Sequence, residues 1–232
     1  LSYLRRFTPE QLNGTYAISL QTMVFAMAEP ERDMLRIAAN VTWLETAQIK
    51  TGDPVPWPGS WTYSISKRSQ PGDNSNTQYA LLGLNAAMEA GVKVKPEVWN
   101  LARTYWEKSQ KRDGSWAYTP DSAASTASMT CAGISSLIIT GLKRLQGQEY
   151  LDGDQIVNCG KVSGNKPLEK GIDWIASHFQ VGQNFGNGQQ WKLYYLYGLE
   201  RAGRLGGVRF FGEHDWYRLG AEELVHEQNK LS

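Results

Sequence analysis

The residues best suited to chemistry stand in the stretch GDNSNTQYALLGLNAAMEAG, residues 72–91. Its first glycine is followed by five polar residues in succession and then by an almost wholly apolar run. Asp, Asn, Ser and Thr are the preferred N-caps of helices, so one of them is expected to cap an apolar helix here. A single cap does not account for Asp73, Asn74 and Asn76 together, nor for Gln78 one step into the helix. The stretch therefore predicts either a generous helix cap or the rim of a ligand-binding cavity.

Asp73 is the carboxylate that could serve as a general acid on such a rim. A general acid at neutral pH needs a raised pKa, whereas the partial positive charge at a helix N-terminus lowers the pKa of a carboxyl group. This conflict counts against acid catalysis and favours a cap or a ligand contact. Of these two roles, we expect the cap.

The composition excludes two classes of partner. The 232 residues include 24 basic and 23 acidic side chains, for a net charge of +1. Nucleic acid and anionic membranes bind clustered positive charge, so neither is expected as the main partner. No run approaches the roughly 18 apolar residues that cross a bilayer, so no transmembrane segment is expected. Nine tryptophans and eleven tyrosines instead indicate aromatic packing or an aromatic-lined ligand site.

A repeated pattern supplies the elements that would position these residues. The chain contains TWLETAQIKTGDPVPWPGSW and, later, TYWEKSQKRDGSW. Both have two large apolar residues, then a glutamine (Gln48, Gln110), then Gly-Ser-Trp after a loop. A third copy, DWIASHFQVGQNFGNG, has Phe179 in place of the glutamine, and a fourth, EELVHEQNKLS, has Gln228 in register. No Gly-x-Trp follows Gln228, so we expect a fragment of a longer chain or a repeat abandoned at its end.

The copies lie in amphipathic helices, and each of these follows an apolar helix. Pro30, Pro96 and Pro167 introduce amphipathic helices, since proline at the first helical position loses no hydrogen bond. The apolar helices read TYAISLQTMVFAMA, QYALLGLNAAMEAG, TCAGISSLIITGL and WKLYYLYGLERAG. Helices that are apolar nearly all round are buried on most sides. The alternation predicts an all-α protein with apolar helices inside and amphipathic helices outside.

The glutamine followed by Gly-x-Trp resembles the QW motif of squalene and oxidosqualene cyclases, whose α/α toroid is shared with protein prenyltransferase β subunits. DNSNTQYALLGL and YYLYGLERAG also resemble segments of bacterial prenyltransferase-like proteins, in particular large planctomycete ones. The resemblance covers almost the whole chain and implies one toroid-like domain, 1–232, with a glycine-rich insertion at 146–168. About four hairpins fall short of the ring that the family implies. An open arc is expected, or a ring completed by missing or partner segments.

The family further implies that the inner helices point the same way and that their N-terminal ends surround the cavity. Four segments would then share one rim, namely 13–16, 73–79, 125–131 and 187–194. Helix N-termini offer partial positive charge and free N–H groups, which suit an anionic or hydroxylated ligand. The predicted ligand-binding residues on this rim are Asp73, Asn74, Asn76, Gln78, Tyr79, Trp191 and Tyr194.

The catalytic signatures that the resemblance would bring are missing from the sequence. Cyclases of the family use an Asp-x-Asp-Asp cluster, and the run DGDQ lacks its last carboxylate. Protein prenyltransferases hold zinc with an Asp-x-Cys pair and a distant histidine, but here Met129 stands two residues before Cys131. We therefore expect no metal and no cofactor, and no catalytic residue is assigned. The histidines expected on or near outer helices are His178, His214 and His226.

Two further segments carry polar side chains. FFGEHDWYR joins the fourth inner helix to its outer helix, and we expect its polar residues in the first turn of that outer helix rather than in a metal or acid-base site. These residues are Glu213, His214 and Asp215. The glycine-rich loop 147–165 is predicted as a mobile lid. Cys131 and Cys159 are expected to be free thiols, with an isolated disulfide as the alternative.

Two functions remain after this reading. The resemblance implies that the glutamine and tryptophan of the QW motif form a brace that ties one outer helix to the start of the next. The favoured function is a binding or scaffold module of a larger protein, because this brace motif is present and the family's catalytic motifs are not. The alternative is an enzyme that acts on an isoprenoid or a polysaccharide, since aromatic faces stabilise carbocations and also stack on sugar rings. The aromatic residues that would line such a pocket are Trp57, Trp61, Trp116, Trp191, Tyr79 and Tyr194.

Overall fold

A computed structural model describes residues 1–67, 69–145, 150–152, 155–157 and 165–231. These residues are mostly helical, which confirms the all-α class. The helices are α1 (Pro9–Leu12), α2 (Thr15–Ala28), α3 (Pro30–Ala47), α4 (Asn74–Glu89), α5 (Pro96–Ser109), α6 (Ala127–Leu145), α7 (Lys166–Ser177), α8 (Lys192–Gly206) and α9 (Trp216–Leu231). The strands are β1 (Tyr150–Asp152), β2 (Gln155–Val157), β3 (Phe210–Phe211) and β4 (His214–Asp215), and single 3₁₀ turns lie at Leu4–Arg6 and Ile65–Lys67.

The alternation of helices follows the sequence pattern. The apolar runs form α2, α4, α6 and α8, and the amphipathic runs form α3, α5, α7 and α9. Pro30 and Pro96 are the first residues of α3 and α5, and Pro167 is the second residue of α7. Local signals in the chain, namely periodicity and proline at helix starts, therefore place the long helices.

Burial of the apolar helices differs from one to the next. Most side chains of α4 are buried, as the pattern predicts for an inner helix. On α2, Ile18 and Phe25 are fully buried, whereas Leu20 is exposed and Met27 is 83% exposed. The expectation of burial on most sides is therefore wrong for α2, because nothing in the described part of the chain covers its second apolar face.

The predicted insertion at 146–168 is described only in part. β1 and β2 pair antiparallel, with Tyr150 opposite Val157, and α7 already begins at Lys166. Residues 158–164, which include Cys159, lie outside the described residues. The lid role of this loop stays a prediction.

The chain divides into two compact units. The first consists of Leu1–Lys108 with Ile139–Lys161, and the second of Ser109–Ile138 with Val162–Ser232. In the first unit, α2 packs along α4 and against α3. In the second unit, a core of buried apolar side chains is shared by α6, α7, α8 and α9, with Ile134, Trp174 and Trp216 among its members.

A glutamine brace occurs once in each unit. In the first unit, the Gln48 Nε2 amide donates to the carbonyls of Gly59 at 3.3 Å and Val98 at 3.0 Å. Gln48 directly follows α3, and Val98 lies in the first turn of α5. The amide therefore ties the end of one outer helix to the beginning of the next. This is the role that the QW resemblance implies for the glutamine.

The second unit repeats these contacts. The Gln110 Nε2 amide donates to the carbonyls of Gly114 at 2.9 Å and Pro167 at 2.7 Å. Gln110 directly follows α5, and Pro167 lies in the first turn of α7. Both acceptor glycines belong to the Gly-Ser-Trp sequences. The two copies thus share the same hydrogen bonds as well as the same sequence motif.

The glycine of each copy is required by a close approach of two backbones. Gly59 and Gly114 have φ of 100° and 94°, where side chains are strained. A Cβ on Gly59 would lie 2.2 Å from the carbonyl oxygen of Leu101 in α5. A Cβ on Gly114 would lie 2.4 Å from the carbonyl oxygen of Lys170 in α7. Any side chain would push the loop away from the helix that the glutamine holds.

The tryptophan of each copy connects the brace to the next inner helix. Trp61 and Trp116 are fully buried. Trp61 receives a backbone hydrogen bond from Asp73 and gives one to the Thr77 hydroxyl, both at the start of α4. Trp116 is bonded in the same way to Thr126 and Thr130 at the start of α6. The motif therefore determines where α4 and α6 begin.

The third and fourth copies do not repeat this geometry. Phe179, in the glutamine position of the third copy, stacks on the His214 ring at 4.6 Å. Gln228 of the fourth copy lies inside α9, which continues to Leu231. A phenyl ring has no donor for the two carbonyls, and Gln228 does not follow the end of its helix as Gln48 and Gln110 do.

A buried ion pair holds the N-terminal segment to the first outer helix. The Arg5 guanidinium donates to both carboxylate oxygens of Asp33 and also to Glu29. The side chain of Asp33 is fully buried. Its hydrogen bonds to Arg5 hold the pKa of the Asp33 carboxyl below its ordinary value. A depressed pKa stabilises the fold above the ordinary carboxyl pKa, and this contribution is lost as pH falls through the folded value.

We predict that Asp33→Asn flattens the acid side of the stability profile. Tm of the wild-type chain should fall below about pH 4 more steeply than that of the variant, and at pH 7 the variant should melt roughly 5 °C lower. Thermal unfolding followed by circular dichroism across pH checks this. Asp173→Asn, an exposed change on α7, is the control. Parallel profiles for wild type and Asp33→Asn would contradict the role given to the pair.

Candidate ligand-binding site

Asp73 is the N-cap of α4. Its Oδ1 accepts from the backbone N–H of Asn76 at 2.8 Å, and its Oδ2 accepts from the Asn76 side-chain amide at 2.8 Å. The residue is only 5% exposed. This confirms the cap. Both carboxylate oxygens are engaged by the first turn of Asp73's own helix.

The other polar residues of this helix start are buried as well. The Asn74 Oδ1 accepts from the Tyr105 hydroxyl at 2.6 Å. The Thr77 hydroxyl donates to the Asp73 carbonyl at 2.6 Å and accepts from Trp61. Asn74, Asn76 and Gln78 are at most 1% exposed. These three side chains therefore expose almost no surface to solvent.

The equivalent start of α6 shows how much of this cluster a cap requires. There Thr126 takes the place of Asp73, and its hydroxyl accepts from the backbone N–H of Met129 at 3.2 Å. Counted from the first residue of each helix, Ala127 and Met129 stand where α4 has Asn74 and Asn76. The start of α6 is served by this cap and by Asn184, whose Oδ1 accepts from the backbone N–H of Ser128 at 3.0 Å, whereas α4 carries its amides at its own start.

A cluster of tyrosines lies beside the start of α4 in the first unit. The ring of Tyr16, near the start of α2, lies 4.6 Å from the ring of Tyr79 and 6.3 Å from that of Tyr63. The Tyr16 hydroxyl is hydrogen-bonded to the Ser75 hydroxyl. Tyr16 and Tyr79 are half-buried and Tyr63 is exposed. We call Tyr16, Tyr63 and Tyr79 the tyrosine cluster.

The hydroxyl of Tyr16 stays protonated at neutral pH. Burial raises the pKa of Tyr16 well above its ordinary value, and the negative charge of Asp73 raises it further. The hydrogen bond with Ser75 acts in the opposite direction and does not offset burial. The phenol is therefore a neutral group that can donate to or accept from a ligand.

An apolar row begins at this cluster. Leu20, Met23 and Met27 follow Tyr16 at spacings of four, seven and eleven residues, so they lie on the same side of α2. Leu20 and Met27 are exposed, and Met23 is half-buried. The fourteen residues of α2 include no charged side chain. One end of the row is thus hydroxylated and the rest is apolar.

Trp191 and Tyr194, the other predicted contacts, belong to the second unit. Trp191 is 71% exposed, stands at the N-cap of α8 and has φ of 59°. Tyr194 is half-buried. The neighbouring Lys192 is buried and pairs with Glu223 and Glu227 at 2.5 and 2.7 Å. Burial alone would lower the pKa of Lys192, but its bonds to the two glutamates outweigh burial and raise that pKa.

Two of the aromatic residues predicted to line a pocket, Trp61 and Trp116, have no solvent-exposed surface. Trp61 and Trp116 are fully buried, and Trp116 lies against Gly133, where a Cβ would collide with its ring. They belong to the brace. Trp57 is half-buried, and its ring meets the Tyr105 ring edge-on at 6.5 Å.

The sequence reading did not single out Tyr16, Tyr63 and Tyr105. Tyr16 belongs to 13–16, one of the four segments predicted to share the rim, at the start of an apolar helix. Tyr63 follows Gly-Ser-Trp by two residues, and no periodicity marks it. Tyr105 lies in α5, and its hydroxyl donates to Asn74.

The FFGEHDWYR segment forms a short hairpin rather than a helical turn. β3 and β4 pair antiparallel, and α9 begins after Asp215. Asp215 accepts from the backbone N–H of Arg218, and this bond lowers the pKa of the Asp215 carboxyl. The expectation of first-turn residues is therefore wrong for Glu213, His214 and Asp215, because a strand pair comes first and all three precede the helix. Asp215 still serves the helix start from outside, through its bond to Arg218.

Metal and thiol chemistry find no support in the described part of the chain. No group of three or more His, Cys, Asp or Glu side chains there is arranged to hold a metal ion. Cys131 is a free, buried thiol, and burial raises its pKa well above the ordinary value. A thiol of this kind is a poor nucleophile. Within the described ranges, no helix is both long and apolar enough to cross a membrane.

Comparison with protein-family models, curated proteins and solved structures found no match to this chain.

We predict that Asp73 acts on stability through its cap. Asp73→Ala removes the acceptor of two Asn76 donors and should lower the free energy of unfolding by about 1–2 kcal/mol. Asp73→Thr should lose less, because threonine caps the equivalent helix α6 at Thr126. Chemical denaturation of the two variants measures the difference. Equal losses would mean that the cap is not what Asp73 contributes.

Proposed function

We propose that this chain is a non-catalytic binding module built on a QW-type repeat of the α/α-toroid class. The class is supported by the brace, which recurs with equivalent partners at Gln48 and Gln110. Binding without catalysis is supported by Asp73, whose two oxygens are both engaged by Asn76. A general acid must present its proton to a substrate, whereas this carboxylate faces its own helix.

The ligand class that fits the surface is a long apolar chain with a polar end, as in an isoprenoid alcohol. The observation that carries this proposal is the uncharged row of Leu20, Met23 and Met27 leading away from the tyrosine cluster. A hydrocarbon chain laid along the row would leave water, at about 25 cal/mol for each Å² of apolar surface buried. The tyrosine hydroxyls would bond the polar end of the ligand.

A polysaccharide fits this surface less well. A glycan presents hydroxyl groups along its whole length, and each loses water unless the protein supplies a hydrogen-bonding partner. Tyr16, Tyr63 and Tyr79 supply such partners at one end only. Leu20, Met23 and Met27 offer none, so a glycan would leave most of its hydroxyls unmatched.

We expect a fluorescent isoprenyl alcohol to bind the purified chain and Leu20→Gln to weaken its Kd about tenfold, because the change places an amide in the apolar row. Leu35→Gln is the matched control, since Leu35 is 86% exposed on α3 and lies outside the row. Tyr16→Phe should weaken binding of the alcohol more than that of the matching hydrocarbon.

Three outcomes would overturn the proposal. The first is that the wild-type chain does not bind the alcohol, and the second is that Leu35→Gln weakens binding as much as Leu20→Gln. The third is a cyclised or otherwise converted product, detected by mass spectrometry after incubation with isoprenoid alcohols or diphosphates. That result would show that the module is an enzyme.

A further inference from the structure

A loop in the second unit consists almost entirely of amide side chains, glycines and aromatic residues. Residues 180–191 read QVGQNFGNGQQW, with six side-chain amides, three glycines and no charged residue. We call this segment the amide loop. It lies between α7 and α8 and ends at Trp191, the residue before α8. The tyrosine cluster belongs to the first unit, so the amide loop is a separate feature.

Trp191 is held in a conformation that tryptophan rarely adopts. Its φ of 59° and ψ of 27° lie in the left-handed region, where a bulky side chain is strained. The residue is 71% exposed, and within the described part of the chain its ring makes no hydrogen bond or aromatic contact. Trp57 also has a positive φ, but its ring packs edge-on against Tyr105. The strain at Trp191 is therefore not offset by packing of its own side chain.

The helix start after Trp191 also lacks the cap that its equivalents have. Asp73 before α4 and Thr126 before α6 each accept a backbone N–H from the first turn of their helix. Trp191 occupies the same position before α8, and its side chain provides no cap. Since a side-chain cap stabilises a helix, the sequence here sacrifices stability twice, through strain and through the missing cap. What it places there instead is a solvent-exposed indole.

Hydrogen bonds to α6 hold the amide loop in place. Asn184 is fully buried, and its Oδ1 accepts from the Ser128 backbone N–H at 3.0 Å while its Nδ2 donates to the Ser128 hydroxyl at 3.1 Å. Within the loop, the Asn184 N–H donates to the Gly188 carbonyl, and the Asn187 N–H donates to the Asn184 carbonyl, both at 2.8 Å. The loop is therefore preorganised, which lowers the entropic cost of binding a ligand.

Two amides close to the indole in the chain are available to a ligand. The side chains of Asn187 and Gln190 have no hydrogen-bond partner in the ranges that the structure describes. Gln190 is exposed and Asn187 is half-buried. A carboxamide has both donors and an acceptor, so it can bond two neighbouring hydroxyl groups. An indole ring offers an apolar face on which the C–H groups of a sugar ring can stack.

The charges next to the loop disfavour an anionic ligand. Lys192 is the first charged residue after the loop, and its ammonium is paired with both Glu223 and Glu227, at 2.5 and 2.7 Å. The two carboxylates outweigh the one ammonium, so this group is negative overall. Nucleic acids, phosphorylated ligands and acidic polysaccharides bind to positive charge, which the amide loop does not supply.

We propose that the amide loop is a binding site for a neutral polysaccharide, with a sugar ring stacked on Trp191 and its hydroxyls bonded to the amides of Asn187 and Gln190. The site uses these three side chains and not the N–H groups of α8. It differs from the row along α2, which has no partners for hydroxyl groups. One stacking ring binds a single sugar weakly, and a polymer gains apparent affinity because it presents many copies of the same unit. This inference does not depend on the ligand proposed above.

Electrophoresis of the wild-type chain through native gels that contain hydroxyethylcellulose, galactomannan or a soluble β-glucan tests the proposal. At least one of these neutral polymers should retard the chain, whereas polygalacturonate, an acidic polymer, should not. Trp191→Gly should abolish the retardation, because it removes the stacking face. Tyr217→Ala, which removes an aromatic ring that is 68% exposed on α9, should be retarded as the wild type is.

Thermal unfolding of the glycine variant separates binding from folding. Glycine adopts the left-handed region without strain, and this relief offsets its greater freedom in the unfolded chain, so the Tm of Trp191→Gly should stay within about 2 °C of the wild-type value. Asn187→Ala combined with Gln190→Ala should weaken binding about tenfold through the loss of hydrogen bonds to hydroxyls.

Four outcomes would overturn the proposal. The first is that none of the three neutral polymers retards the wild-type chain, and the second is that retardation survives Trp191→Gly. The third is stronger retardation by polygalacturonate than by the neutral polymers. The fourth is a larger fall in the Tm of Trp191→Gly, which would show that the indole serves stability rather than binding.

Discussion

The amide of Gln48 has two N–H donors, and both bond backbone carbonyls that lie far apart in the chain. One acceptor is in the loop that leads to Trp61, and the other is in the first turn of α5. The loop can reach the helix only because Gly59 has no side chain where the Leu101 carbonyl passes. A buried amide with its donors satisfied stabilises this arrangement, and a mispositioned loop would leave those donors without partners. Because Gln110 and Gly114 meet the same conditions, the geometry recurs in the second unit.

The brace also explains why the polar residues stand at the start of α4. Trp61 is held by α3 through its indole, and its own backbone groups bond Asp73 and Thr77. The position of this helix start is thereby fixed by Trp61, and other side chains of the first turn bond residues of neighbouring helices. In α4 they are amides and hydroxyls that support Tyr16 and Tyr105. In α6 the corresponding side chains are those of Ala127, Ser128, Met129 and Thr130, none of which is an amide.

Much of this could be predicted from the sequence because the relevant signals are local. Apolar periodicity and the prolines at 30, 96 and 167 place the long helices, and the spacing from glutamine to Gly-Ser-Trp identifies both braces. The cap at Asp73 also follows from its position before an apolar run. The tyrosine cluster could not be predicted, since Tyr16, Tyr63 and Tyr79 come from three separate segments that only packing brings together. The exposure of Leu20 and Met27 on α2 could not be predicted either, because an apolar helix has the same composition whether or not other helices pack on it.

The central claim is that a close backbone approach at Gly59 and Gly114 lets Gln48 and Gln110 hold their loops against the first turns of α5 and α7. It is tested most directly by equilibrium unfolding of four glycine-to-alanine variants. Gly52 and Gly91 also have positive φ, near 95°, but a Cβ there would meet nothing within 4 Å. Gly52→Ala and Gly91→Ala should therefore cost only the backbone strain, about 1–2 kcal/mol, while Gly59→Ala and Gly114→Ala should each cost several kcal/mol more. Similar losses for all four variants would contradict the brace as the constraint on which this fold depends.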